Sequence, residues 1–141
     1  MRQRVIVMRQ DVIDQLRHEG LAGAWTAEAG ERAGYKCEYC DKDMLASVDN
    51  YLSWQLDHIV PESAGGDHTL ENVALSCREC KVRFKGHWNP AYVAGEDASR
   101  EELILVVREN IKKKRSSWVC CLSRCREIVG WEESESNRTD D

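Results

Sequence analysis

The sequence is poor in the residues that build a large hydrophobic core. Its 141 residues include one phenylalanine, two prolines and no long hydrophobic run. No segment approaches the roughly 18–20 apolar residues of a membrane span, so we expect no association with a membrane. The apolar run at 5–8 is too short, and too closely followed by Arg9 and Asp11, to serve in a signal peptide. We therefore expect a cytoplasmic protein with one small core that needs further stabilisation.

Cysteine is the residue that can supply this stabilisation, since the chain has seven. In a reducing compartment, cysteines at metal-binding spacing are interpreted as ligands before disulfides. Two C-x-x-C pairs are present, Cys37 with Cys40 and Cys77 with Cys80. Four thiolates from two such pairs predict a closed, structural Zn²⁺ site. Two coincidental pairs of core or redox cysteines are the alternative.

The net charge of −5 by itself argues against a nucleic-acid partner. The distribution of charge along the chain is a better guide to such a partner. Residues 127–141 hold six acidic residues and one arginine, which leaves residues 1–126 with 19 charges of each sign. The basic residues cluster at Arg78, Lys81, Arg83 and Lys85, and again at 112–115. Such clusters can follow a phosphate backbone, although a solvated helix face also explains the second cluster.

The pattern of apolar and turn residues predicts a mixed α+β fold. Helices are expected at 11–18 and at 25–33, the second ending at Gly34. Residues 51–58 alternate with β-forming side chains and predict a strand that ends at Asp57-His58. A glycine-rich loop follows, then a short apolar strand at 73–75 and a helix that begins near Cys77.

The C-terminal third is expected to be helical. Ser99 and Glu102 form a capping box before a helical apolar pattern, and residues 116–126 are predicted to continue as helix. The domain prediction is a single domain at 1–126, with its motif core at about 32–90 and a helical extension at about 99–126. The acidic tail at 127–141 is expected to be disordered.

The segment between the cysteine pairs carries several motifs in a fixed order. They are Asp57-His58-Ile59-Val60-Pro61, Gly65-Gly66, Leu70-Glu71-Asn72-Val73, and the second cysteine pair followed by Lys85-Gly86. Taken together they resemble the HNH endonuclease family, and Cys37-Glu38-Tyr39-Cys40 fits its zinc-stabilised branch. The resemblance implies a ββα-metal (HNH) core with a four-cysteine zinc site, flanked here by N-terminal and C-terminal helices.

The resemblance also implies roles for particular residues in the cleavage of DNA. It makes His58, Asp57 and Asn72 the catalytic set, with Asn72 bracing the loop and orienting the histidine. A turn residue without a catalytic role is the alternative for Asn72. The family fold holds one divalent metal ion between the hairpin and the following helix.

The chemistry of phosphodiester hydrolysis independently favours these residue types. Neutral imidazole can accept a proton from water near pH 7, which makes His58 the candidate general base. The transition state gathers negative charge, and a hard cation with oxygen ligands can stabilise it. Asp57 is therefore expected to bind Mg²⁺ or Mn²⁺, on the strand face opposite to His58. His68, in the turn between the strands, is interpreted as a solvated loop histidine, with a contact to DNA as the alternative.

The sequence departs from the family at the position after the last cysteine. Members of the family usually have His or Asn there as the second metal ligand, whereas this chain has Lys81, and an ammonium cannot coordinate a metal ion. His87 is a weak candidate for a replacement ligand, because it lies six residues further along the expected helix. Lys85 comes one residue later than the usual family lysine, so a shift of one residue at the helix start is the other interpretation.

These observations predict a metal-dependent hydrolase, an HNH endonuclease that cuts DNA. Arg78, Lys81, Arg83 and Lys85 are expected to contact the nucleic acid, with Zn²⁺ as structural cofactor and Mg²⁺ or Mn²⁺ as catalytic cofactor. The alternative is a zinc-stabilised nucleic-acid-binding module with weak or no nuclease activity. Lys81 favours that alternative, while Asp57 and His58 favour the enzyme.

Overall fold

The computed structural model describes residues 8–133, in which helices surround one two-stranded sheet. In chain order the main elements are α1 (Gln10–His18), α2 (Ala24–Ala33), α3 (Val48–Leu52), β1 (Trp54–His58), β2 (Val73–Cys77), a π-helix (Glu79–Lys85), α4 (Ala91–Ala94), α5 (Arg100–Ser117) and α6 (Val119–Val129). Two single-turn 3-10 helices, Glu62–Ala64 and Leu70–Asn72, lie between the strands. The predicted α+β class is confirmed.

The hairpin of β1 and β2 fixes the directions of the candidate catalytic side chains. The strands are antiparallel, with Asp57 opposite Ala74 and His58 opposite Val73. Successive side chains of a strand point to opposite faces. Asp57 accordingly points into the protein and is buried, whereas the His58 side chain is 29% exposed.

The core forms around β2, which is buried at each of its five positions. The α2 helix packs on β2, while α5 packs on the π-helix. Twelve buried residues form one cluster, namely Ala29, Cys37, Tyr39, Met44, Ile59, Ala74, Leu75, Cys77, Cys80, Phe84, Val107 and Ile111. Three of the four paired cysteines belong to it, so the predicted metal site lies inside the core.

Arginine side chains connect the outer helices to the hairpin. The guanidinium groups of Arg32 on α2 and Arg100 on α5 both donate hydrogen bonds to the carbonyl of Val73, at 2.6 and 2.9 Å. Arg100 also pairs with the Glu38 carboxylate at 2.9 Å, and the other oxygen of Glu38 accepts from the Leu75 amide. The first cysteine pair and β2 are thereby held at a fixed distance from α5.

Most of the predicted helices are confirmed. The α1 and α2 helices cover the expected residues, and Gly34 ends α2 in the left-handed conformation, at φ 64°. The Ser99 side chain accepts a hydrogen bond from the Glu102 amide and caps α5, as the capping box predicts. The apolar run at 5–8 falls mainly outside the described residues.

The strand predicted at 51–58 is three residues too long. Residues 48–52 form α3, whose first turn is capped by the Ser47 hydroxyl, which accepts from the Asn50 amide. The Tyr51 hydroxyl donates to the carbonyl of Leu21, at 2.6 Å. Tyr51 is a good strand former, but this cap and this tertiary contact outweigh its intrinsic preference.

The helix that follows Cys77 is present, but residues 79–85 adopt the wider π-helical winding. A π-helix bonds residue i to residue i+5, so it accommodates one residue more than an α-helical turn. Lys85 comes one residue later than the resemblance leads us to expect. The π-helix thus gives a structural account of the one-residue shift.

The C-terminal helix is interrupted once and then extends further than predicted. Trp118 separates α5 from α6, and Gly130 ends α6 at φ 70°. Residues 127–129 are therefore helical, although the sequence assigns them to the tail. Residues 134–141 lie outside the described part of the chain, so the disorder expected there stays a prediction. Among residues 8–133, no helix combines the length and hydrophobicity needed to cross a membrane.

We predict that Gly66→Ala destabilises the loop after β1. A Cβ atom at Gly66 would overlap the backbone carbonyl of Val60 and come within 2.9 Å of Asn72 Nδ2. Overpacking of this kind costs about 3 kcal/mol, because backbone must move. Chemical denaturation should show a larger loss for Gly66→Ala than for Gly23→Ala, whose new Cβ would meet only a side-chain atom at 3.7 Å. Equal stabilities of the two variants would contradict this packing.

Candidate active site

The four paired cysteines converge on one point, as the sequence predicts. The sulfur atoms of Cys37, Cys40, Cys77 and Cys80 lie within 4.8 Å of one another, and we call this group the cysteine cluster. The Sγ atoms of Cys40 and Cys77 are 3.7 Å apart. Four sulfurs held tetrahedrally at about 2.3 Å from Zn²⁺ would be separated by roughly 3.8 Å. The cysteine cluster therefore fits a structural zinc ion.

The close approach of the four sulfur atoms also favours a bound cation. Hydrogen bonds from the neighbouring sulfurs lower the pKa of Cys37, and hydrogen bonding to Cys37 raises the pKa of Cys80. Four thiolates cannot share one buried volume without a positive charge between them. A zinc ion would supply that charge and join the two cysteine pairs, which come from distant parts of the chain.

A cleft of ≈ 460 Å³ opens between the end of β1, the loop after it and the π-helix. Its lining consists of Asp57, His58, Pro61, Glu62, Ser63, Lys81, Val82, Gly86 and His87. The structure thus places four of the sequence-predicted site residues in one cavity. They are Asp57, His58, Lys81 and His87.

His58 faces the cleft at the end of β1 with two polar side chains around its ring. Its Nε2 atom lies 3.0 Å from His68 Nδ1 and 3.1 Å from Glu62 Oε1. The indole ring of Trp25 stacks on His68, with ring centroids 4.6 Å apart. These contacts fix the orientation of the His58 imidazole at the mouth of the cleft.

Asp57 lies on the other face of β1, where two donors engage one of its carboxylate oxygens. The Lys85 ammonium is 3.0 Å from Oδ2, and the Tyr39 hydroxyl donates to the same atom at 2.7 Å. Burial raises the pKa of Tyr39 well above its usual value, so this hydroxyl stays protonated. Burial also lowers the pKa of Lys85, an effect that the Asp57 carboxylate opposes. Asp57 therefore forms a buried ion pair.

The residues at the family's catalytic metal position do not fit such a metal in this chain. The Asp57 carboxylate is neutralised by Lys85, and the position of the family's second ligand is occupied by Lys81, which offers no lone pair when protonated. Lys81 Nζ instead donates to the carbonyl of Leu56, at 2.7 Å. We therefore assign no catalytic step to a metal ion held by Asp57.

Asn72 contacts the loop that follows His58, while its predicted part in orienting the histidine stays a prediction. Its side-chain oxygen accepts from the Val60 amide at 3.0 Å, and its amide nitrogen donates to the carbonyls of Val60 and Asp67, at 2.9 and 2.8 Å. The Ile59 amide donates to the backbone carbonyl of Asn72, at 2.8 Å. A direct part for Asn72 in catalysis stays a prediction.

The predicted nucleic-acid contacts divide into exposed and buried residues. Arg78 and Arg83 are exposed, and Lys81 lines the cleft. The side chain of Lys85 is 0% exposed, so its ammonium cannot reach a phosphate, which corrects the prediction for this residue. Its burial follows from the π-helix, which turns Lys85 towards Asp57 and the His58 carbonyl.

Sequence reasoning does not identify Glu62 as a site residue, and it favours a solvated loop position for His68. The structure brings both side chains to His58. Glu62 lies four residues after His58, but the chain between them is a bend and a 3-10 turn, not an α-helix. No periodic pattern signals their approach, because the path of the loop creates it.

Comparison with known proteins agrees with this architecture. A zinc-compatible cysteine cluster lies beside a two-stranded antiparallel hairpin that is followed by a helix. Residues 37–83 match the family model described as HNH endonuclease, which confirms the resemblance over this segment. The match begins at Cys37 and ends within the π-helix, and it indicates a nuclease or nucleic-acid-binding function. A search of curated proteins found no match to the chain.

We predict that Cys40→Ser lowers zinc content and thermal stability together, because metal binding by these ligands is coupled to folding. Elemental analysis should find one zinc ion per wild-type chain and substantially less in the variant. Cys121→Ser is the matched control, since Cys121 is exposed and lies outside the cysteine cluster. A folded wild-type protein that contains no zinc would contradict the assignment.

We predict that Lys85→Met destabilises the fold by about 3–5 kcal/mol, because it leaves the Asp57 carboxylate buried without its counter-ion. Denaturant unfolding measures this loss. Lys42→Met is the control, since Lys42 pairs with Glu79 at the surface and such pairs contribute about 0–1 kcal/mol. The double variant Asp57→Asn/Lys85→Met should recover part of the loss. If Lys85→Met lowers the free energy of unfolding no more than Lys42→Met does, the Asp57–Lys85 ion pair does not stabilise the fold as proposed.

Proposed function

We propose that the protein is an HNH-type endonuclease that hydrolyses DNA phosphodiester bonds in the cleft beside β1. The observation that carries the proposal is the position of His58. Its imidazole stands at the mouth of the cleft, held by Glu62 and His68, within the segment that matches the HNH family. In its neutral form it accepts the proton of a water molecule that attacks the phosphorus.

Lys81 gives the cleft a positive charge that favours the phosphate and its transition state. It lines the cavity, whereas the charge of Lys85 beneath it is offset by the Asp57 carboxylate. An ammonium group stabilises an anionic transition state by its charge alone. HNH nucleases use divalent metal ions, and we assign such an ion no ligands at Asp57 and Lys81, because the first is neutralised and the second is cationic. Assays with Mg²⁺, Mn²⁺ and chelator measure its contribution.

The second basic cluster lies beside the π-helix, and this supports DNA as the partner. Arg83 lies over the Trp118 ring, at 5.6 Å from its centroid, and Lys114 Nζ donates to the carbonyl of Phe84, at 2.7 Å. These contacts bring the basic run at 112–115 beside the π-helix, so the two basic clusters of the sequence are neighbours in space. Adjacent cationic side chains of this kind attract the phosphate backbone.

A nucleic-acid-binding module without nuclease activity is the second candidate function. It is favoured by the ion pair between Asp57 and Lys85 and by Lys81 at the position of a family metal ligand. A module that only binds DNA needs no oriented imidazole in a cleft, however. We therefore prefer the nuclease.

We predict that His58→Ala lowers the rate of plasmid nicking by about 10²–10⁴-fold, the usual contribution of a general base. DNA affinity should stay within a few-fold of wild type, since the substitution removes no positive charge that binds phosphate. A nicking assay and a gel-shift assay on the same preparations separate the two quantities. His18→Ala is the control, because His18 is exposed on α1, away from the cleft.

Each outcome of these assays has a distinct meaning. Nicking by His58→Ala at the wild-type rate would contradict the role of His58 as base. DNA binding by the wild-type protein without any nicking, with Mg²⁺, Mn²⁺ or chelator, would overturn the nuclease in favour of the binding module. Absence of both activities would overturn both functions.

A further inference from the structure

We propose that His58, Glu62 and His68 form a binding site for a divalent transition-metal ion, distinct from the cysteine cluster. One ligand atom from each of the three side chains lies within 4.8 Å of the others. The separations are 3.0 Å between His58 Nε2 and His68 Nδ1, 3.1 Å between His58 Nε2 and Glu62 Oε1, and 3.5 Å between His68 Nδ1 and Glu62 Oε1.

These separations match those of three ligands on one ion. Donor atoms that lie about 2.0–2.1 Å from a metal, at angles between those of an octahedron and a tetrahedron, are roughly 2.8–3.4 Å apart. Two edges of the triangle formed by the three side chains fall in this range, and the third, at 3.5 Å, needs only a small movement of the exposed His68 or Glu62 side chain.

The three ligands come from parts of the chain that are independently held in place. His58 ends β1, and Glu62 begins the 3-10 turn that follows. His68 is oriented by its stacking on Trp25 of α2, so its Nδ1 atom faces the other two ligands. A site supported on separate elements loses less conformational entropy when the ion binds.

The donor set indicates which ions the site would take. Two imidazole nitrogens with one carboxylate suit Zn²⁺, Ni²⁺ and similar transition metals, whereas Mg²⁺ prefers oxygen ligands. The side chains of Glu62 and His68 are 61% and 68% exposed, which leaves room for water molecules to complete the coordination. The cysteine cluster is a closed, sulfur-only site, so its chemistry differs from that of the site formed by His58, Glu62 and His68.

The position of the site has a consequence for activity. An ion on His58 Nε2 occupies the lone pair that the proposed general base uses. Transition-metal ions should therefore inhibit DNA cleavage when they fill this site. The inhibition rests on the proposed function, but the existence of the metal site does not.

The test is a titration with Ni²⁺ of untagged protein that carries one zinc ion per chain and no excess zinc, by isothermal calorimetry at a pH of about 7.5, where imidazole is mostly neutral. Wild type should bind one Ni²⁺ ion in addition to its zinc, and Mg²⁺ should not bind there. His68→Ala and Glu62→Gln each remove one ligand and should weaken Ni²⁺ binding by at least about tenfold. His18→Ala retains all three ligands and should bind Ni²⁺ as wild type does. Circular dichroism and zinc content verify that each variant is folded.

Two results would overturn the site. One is the absence of a Ni²⁺-binding event in wild type. The other is a binding event that His68→Ala and Glu62→Gln leave unchanged, since the three side chains would then only form hydrogen bonds with one another. Nicking assays separate this inference from the proposed function. If the protein binds Ni²⁺ but cuts no DNA, the metal site is retained and the nuclease function is rejected. If it cuts DNA but does not bind Ni²⁺, the nuclease function is retained and the metal site is rejected.

Discussion

The buried ion pair between Asp57 and Lys85 is the interaction on which the geometry of the cleft depends. It joins β1 to the π-helix, and Lys85 also donates to the carbonyl of His58 while Lys81 donates to that of Leu56. Two lysines of one helix thus hold the backbone of the strand that carries the candidate base. Because an unpaired carboxylate in this position would be costly to bury, the spacing of strand and helix cannot change without breaking the pair.

The cysteine cluster would hold the other end of the hairpin in place when it binds zinc. Cys77 ends β2, and the first cysteine pair precedes α3, so a zinc ion between them would connect Cys37 and Cys77, which are 40 residues apart. With one phenylalanine in the chain, hydrophobic burial alone offers limited stabilisation, and a metal adds to it directly. The cleft lies at the His58 end of the hairpin, where Asp57 of the ion pair contributes to its wall.

Local chemistry explains most of what could be predicted from the sequence. The two C-x-x-C pairs, the Ser99 cap and the Gly34 stop each follow from short-range rules, and each is confirmed in the fold. Features that depend on tertiary contacts could not be predicted in this way. The strand prediction at Tyr51 is wrong because a capped helical turn and a long-range hydrogen bond outweigh β propensity. The burial of Lys85 follows from a π-helical winding that no residue pattern indicates, and the approach of His68 to His58 arises from the path of a loop.

We propose that phosphodiester hydrolysis in the cleft uses water as the nucleophile, activated at His58. Cleavage of DNA in water enriched in ¹⁸O, followed by mass spectrometry of the new ends, tests this mechanism. Attack by water on phosphorus with departure of the 3′ oxygen predicts one ¹⁸O atom in a 5′-phosphate and an unlabelled 3′-hydroxyl. Ends without the label, or DNA that stays intact when saturated with the protein, would contradict it.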